Sequence, residues 1–171
     1  MVVFLWGFCC LFQNVNGELE LQFYKKSCPD AEKLVKEKMR KSMLNDLSTA
    51  AAILRLAFHD CQVDGCDGLV LLENANGMTL NVINEIKSSL EAICPETVSC
   101  ADIIQLAARE AVYLTGGPYI KVLTGRRDTV SASKERADKQ LPAAYISVDA
   151  FIQIFRKKNI SLEDGVALMG I

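Results

Sequence analysis

The sequence predicts a mostly α protein. Apolar residues recur at helical spacing along most of the chain, and serines stand where helices begin. The triplet Gly116-Gly117-Pro118 gives a decisive helix stop. The chain has 171 residues, of which half are hydrophobic and 23% charged. That is enough for one modest domain with its own core, and it is not the composition of a disordered chain. The formal net charge of -2 offers no general attraction to nucleic acid or to anionic membranes. Local lysine clusters, Lys25-Lys26 and Arg156-Lys157-Lys158, read as solvated faces.

The elements follow in order. Met1 to Phe12 is almost uninterrupted apolar sequence, too short for a membrane span of about 20 residues. The small residues Val15 and Gly17 fit a signal-peptidase site, so residues 1–17 are expected to be a signal peptide and 18–171 the exported domain. No Lys or Arg precedes the run, and a buried first helix is the alternative. Pro29 suits a first helical turn, with Ala31, Leu34, Val35 and Met39 behind it, predicting a helix over 30–44. A second is predicted over 48–60, then a loop over 62–77 rich in Asp, Gly and Asn. Leu80, Ile83, Ile86, Leu90 and Ile93 mark a third helix, ending before Pro95. Ser99 caps a fourth, which runs to the Gly-Gly-Pro stop. Residues 119–146 read as irregular, with a short strand near Tyr119 to Leu123. Ser147 caps a fifth helix with Phe151, Ile154 and Phe155 on one side. Ser161 and Asp164 form a relative of the capping box and open a last helix, whose Val166, Leu168 and Met169 need partners.

The chemistry concentrates in Arg55-Leu-Ala-Phe-His59-Asp-Cys-Gln-Val-Asp-Gly-Cys-Asp67. Arg55 and His59 are four apart on a helix, so they share one face. His59 is the chain's single histidine. A neutral imidazole accepts and returns a proton near neutral pH, and a guanidinium supports negative charge growing on oxygen. The pair therefore suits peroxide cleavage, although an Arg and a His at this spacing are also what an ordinary surface pair looks like. The carboxylates and carbonyls of the following loop suit calcium, while His59, Cys61 and Cys66 leave a zinc site open as an alternative to a disulfide. Cys9 and Cys10 lie in the apolar leader, so the exported domain keeps an odd number of cysteines, and one thiol lacks a partner within the chain.

These motifs resemble those of the secreted plant (class III) haem peroxidases. The resemblance is carried by Arg-Leu-Ala-Phe-His-Asp-Cys at 55–61 and by Gly65-Cys66-Asp67. Phe23-Tyr24, Ser27-Cys28-Pro29, Cys94-Pro95, Val98-Ser99-Cys100-Ala101-Asp102, Gly116-Gly117-Pro118, Gly125-Arg126-Arg127-Asp128 and Leu141-Pro142 follow in the family's order. It covers residues 20–171. It implies an incomplete plant haem-peroxidase fold: the distal helical domain plus the start of the proximal one. It also implies haem b and calcium as cofactors, and hydrogen peroxide and small aromatic reductants as substrates. A monomer is implied, outside the cell or in the vacuole, with no membrane contact after leader cleavage. By this resemblance His59 is the distal acid–base histidine and Arg55 its partner. Phe58 and Phe155 are haem-side aromatics, and Pro142 lies at the substrate entrance. Asp60, Val63, Gly65 and Asp67 are calcium ligands, the middle two through their carbonyls. Cys28 pairs with Cys94 and Cys61 with Cys66, while the partner of Cys100 lies far downstream. Arg126 is expected to pair with Asp102.

The chain also departs from the family. Val166 to Ile171 resembles the run that precedes the family's axial histidine, so these residues are expected not to form a competent peroxidase by themselves. The segment after Leu72 is shorter than in the family, leaving Asn74 or Asn76 as substitutes for an asparagine that orients the distal histidine. Leu69 stands where the family supplies a hydroxyl to calcium, which should leave that site weak or empty. Two other readings are a catalytically silent secreted helical remnant or binding module, and a metal- or thiol-based protein using Cys100. The thiol reading requires a lowered pKa. Asn159-Ile160-Ser161 is a glycosylation sequon.

Overall fold

The computed structural model describes residues 18–63, 65–73, 78–129, 139–143 and 145–169. The leader, Asn74, Asn76 and the residues after Met169 lie outside them. The described chain is mostly helical: α1 Ala31–Asn45, α2 Ser48–Gln62, α3 Val70–Glu73, α4 Met78–Ile93, α5 Cys100–Leu114, α6 Val148–Arg156 and α7 Leu162–Met169. A short 3-10 turn, Phe23–Lys25, precedes α1. None of these helices is long and apolar enough to cross a membrane.

Helix α5 is the axis of the fold. It is buried almost all round from Ala101 to Ala111, and its alanines let α1 and α2 approach closely. Val35 and Met39 of α1, Ile53 of α2, Ile83, Ile86 and Leu90 of α4, and Ile103, Ile104 and Leu106 of α5 are fully buried together. Most of these are positions that helical periodicity marks as core, whereas Ile93, marked with them, is 52% exposed at the end of α4. The Arg109 side chain is also buried here, and it joins Glu32 of α1 (2.7 Å) to Glu110 (2.8 Å).

Caps act where the local chemistry requires. The Ser99 hydroxyl accepts from the Asp102 amide at 3.1 Å, and that of Ser147 accepts from the Ala150 amide at 3.3 Å. At α7 the Ser161 hydroxyl accepts from the Asp164 amide (3.0 Å) and donates to the Asp164 carboxylate (2.7 Å). The acid therefore answers the hydroxyl rather than the cap amide. Val166 and Leu168 remain exposed.

Three expectations shift. Pro29 lies outside α1, ahead of the N-cap residue Asp30. The expected loop over 62–77 contains the short helix α3, whose Val70 and Leu71 pack on the core. The strand lies at the far edge of its expected range: β1 (Glu20–Leu21) pairs antiparallel with β2 (Leu123–Thr124), Glu20 opposite Thr124. Phe23 lies beside the residue that follows β2. Gly125, at φ +117°, lies so close that a β-carbon would meet the Phe23 ring at 3.0 Å.

Candidate active site

Helix α2 carries two different chemistries on opposite faces. Ile53, Leu56, Ala57 and Asp60 point inward and are buried. Arg55, Phe58 and His59 lie on the outer side, with Arg55 exposed and the other two half-buried. The Phe58 and His59 rings meet edge-on, centroids 5.9 Å apart. Burial, and then the charge of Arg55, push the His59 imidazole below its ordinary value of 6.5. It is therefore neutral at pH 7 and ready to accept a proton. Among the described residues no side chain hydrogen-bonds the imidazole.

Asp60 is the opposite case. It is 0% exposed, and neither carboxylate oxygen has a hydrogen-bond partner among the described residues. Burial first, and Asp67 next, push it up to about 7. The amides of Val70 and Gly68 oppose the shift, yet neither closes a hydrogen bond to it. Two buried, unanswered oxygens beside a second carboxylate are of the kind a hard cation seeks, but two carboxylates fall short of the about 6–8 oxygens that calcium takes. The bridge Cys61–Cys66 closes the loop between these acids, which excludes a zinc site built on those sulfurs, and Cys28–Cys94 ties the 3-10 turn to α4. Among the described residues, no three His, Cys, Asp or Glu side chains gather as a metal-binding group.

A family model described as Peroxidase matches residues 35–171. The chain belongs to the peroxidase family. Peroxidase 17 of Arabidopsis thaliana is 40% identical over 171 residues, covering 91% of this chain and 52% of that protein. Peroxidase 29 of the same plant is 42% identical, covering 91% and 50%, and Peroxidase 20 is 45% identical, covering 86% and 48%. The chain spans about half the length of the curated relatives it matches.

In this peroxidase chain the other expected positions come from segments beyond α2 in the sequence. Pro142 is half-buried. Its segment is drawn to the end of α2, where the Gln62 side chain donates to the Gln140 carbonyl at 3.3 Å. Phe155 is 1% exposed, stacked against Phe151 at 4.7 Å, and Gly165 of α7 crosses close over it. Cys100 is free, and burial, then Asp128, push its thiol up to about 11. That is the wrong direction for thiol chemistry.

Asp128 and Tyr24 belong to motifs of the sequence, but no local spacing gives their partners. Asp128, 28 residues from Cys100, accepts from the amides of Cys100 (2.9 Å) and Ala101 (2.8 Å), neutralising the start of α5. Tyr24 donates to the Asp102 carboxylate at 2.6 Å. The expected Arg126–Asp102 ion pair is present at 3.0 Å. Only the Ser99 cap and the Arg-Arg-Asp run hint that the start of α5 is a junction.

Proposed function

We propose that these residues form the distal half of a haem-dependent, secreted plant-type peroxidase, which reduces hydrogen peroxide while oxidising small phenolic donors. The observation that carries the reading is Arg55 and His59 one turn apart on the outer face of α2, with the imidazole held neutral. His59 takes the proton from one peroxide oxygen and returns it to the other. Arg55 stays charged and supports the oxygen that gains negative charge. Phe58 limits water beside them. Bound haem would supply the iron and relay to peroxide the electrons that the phenolic donors give up.

The residues fit a haem on one side only. His59 is the single histidine and shares its face with Arg55, so it cannot also serve as axial ligand from the opposite side. In this reading, Pro142 at the substrate entrance and Phe155 at the haem edge follow from the family's motifs alone. Asp60 and Asp67, with the carbonyls of Val63 and Gly65, are the oxygens these residues offer to calcium, an incomplete set with Leu69 beside them. Export to the cell exterior or vacuole is supported by the two disulfides.

Mixing the 171-residue chain with haemin, peroxide and a phenol tests the single-histidine argument. No histidine-type Soret band and no turnover are expected, and either signal would overturn it. In a longer chain bearing a second histidine, His59→Leu should abolish turnover, whereas unchanged turnover would refute the role given to His59. A second reading, a non-catalytic secreted helical module, is favoured by the exposed apolar side chains of Val148, Leu162 and Val166.

A further inference from the structure

The segment 65–69 joins α2 to α3 and lies against the start of α5. A calcium ion there would need about 6–8 oxygens. Asp60 and Asp67 offer carboxylates, but position 69 is a leucine, and its side chain is 2% exposed. An apolar group thus occupies buried space on the segment that also carries Asp67. Loop order must then come from elsewhere, and the structure shows the contacts that supply it.

The Thr129 amide donates to the Asp67 carbonyl at 2.8 Å, and the Leu69 amide donates to the Asp67 carboxylate at 3.1 Å. Next to Thr129, Asp128 holds the first amides of α5. Gly68, at φ +76°, passes so near that a β-carbon would sit 3.0 Å from the Asp128 carboxylate. The chain then enters α3, where Val70 and Leu71 pack on the core. The loop is thereby pinned to two elements, one contact polar and one apolar.

We infer that burial of Leu69 and the Asp128–Thr129 clamp, rather than a bound calcium ion, fasten segment 65–69 to the helical body of this chain. The ion's ordering role has passed to a side chain that excludes one of its ligands. The inference rests on the calcium reading of the Asp60 loop, and its readouts are stability and heat of binding rather than turnover.

The test uses the full chain with its disulfides formed, unfolded thermally in calcium chloride and in a chelator. The unsubstituted chain should keep the same midpoint in both. Leu69→Ser should melt lower than the unsubstituted chain in chelator and recover on adding calcium. Leu69→Ala should melt lower in both, because it loses packing and gains no oxygen. A fall in the midpoint of the unsubstituted chain on chelation would overturn the inference, as would a Leu69→Ser variant indifferent to calcium. Should Leu69→Ser not fold, calorimetric titration of the unsubstituted chain with calcium decides alone. Absence of binding heat below millimolar calcium supports the inference, and a saturating heat there overturns it. Tight calcium binding by the unsubstituted chain would leave the calcium reading standing while this inference fails.

Discussion

Asp102 is the most informative residue to remove. It is 0% exposed, and its carboxylate accepts from the Tyr24 hydroxyl and the Gly125 amide at 2.6 Å each, from the Arg126 amide at 3.1 Å and from the Arg126 guanidinium at 3.0 Å. Asp102→Ala leaves all these donors facing a void and strands a partly buried guanidinium. Breaking a buried pair from one side costs about 3–5 kcal/mol. Tyr24→Phe removes one hydrogen bond to a charged acceptor, about 1.5–3 kcal/mol, together with the long bond that the hydroxyl accepts from the Ser99 amide at 3.4 Å. A domain of this kind holds about 5–15 kcal/mol in total, so Tyr24→Phe should stay folded while Asp102→Ala approaches the limit. Asp102→Asn keeps the volume but not the charge, and should fall between them. Urea unfolding followed by far-UV circular dichroism measures the series. Tryptophan fluorescence does not serve, since the single tryptophan, Trp6, lies in the expected leader. The reasoning fails if Asp102→Ala stays within about 1 kcal/mol of the unsubstituted chain, well below the cost of a broken buried pair.

Three further outcomes follow from the same geometry. The Cys28–Cys94 bridge spans 66 residues and Cys61–Cys66 spans 5, so loop-closure entropy predicts losses of about 4 and about 2 kcal/mol on paired Cys→Ala replacement. Equal losses in denaturant titrations would contradict this. His59 is the only histidine, so its ring protons titrate alone in an NMR pH series, and its pKa should lie below 6.5. Arg55→Leu should raise that value while burial still keeps it below the ordinary one. Because the unfolded chain takes up the proton first, stability from this residue is lost as pH falls below 6.5. A pKa above 6.5 in the folded chain would refute the burial argument. Cys100, raised to about 11, should resist alkylation at pH 8 and react rapidly only after unfolding. Prompt labelling of the native chain would refute that.

Much of the candidate site was legible because its logic is local. Arg55 and His59 share a face through helical periodicity alone. Ser99, Ser147 and Ser161 cap helices through atoms within one turn. The run of motifs likewise identified the family and anticipated both disulfides and the Arg126–Asp102 pair. The loop over 62–77 was harder. Its polar residues signalled turn chemistry, whereas Val70 and Leu71 became helical through packing on the core, which a local window does not contain.

The sequence by itself therefore determined the long helices, which face carries the Arg–His pair, and that a single histidine serves the chain. Beyond the Arg126–Asp102 pair, tertiary structure decided which charges are paired and which are stranded. Asp60 and Asp67 look alike in the sequence. Yet Asp60 is fully buried without a hydrogen-bond partner among the described residues, while Asp67 accepts the Leu69 amide. Asp128 reaches the start of α5 from 28 residues away. The burial and the partners of a charge depend on segments distant in the chain, and those set its energy.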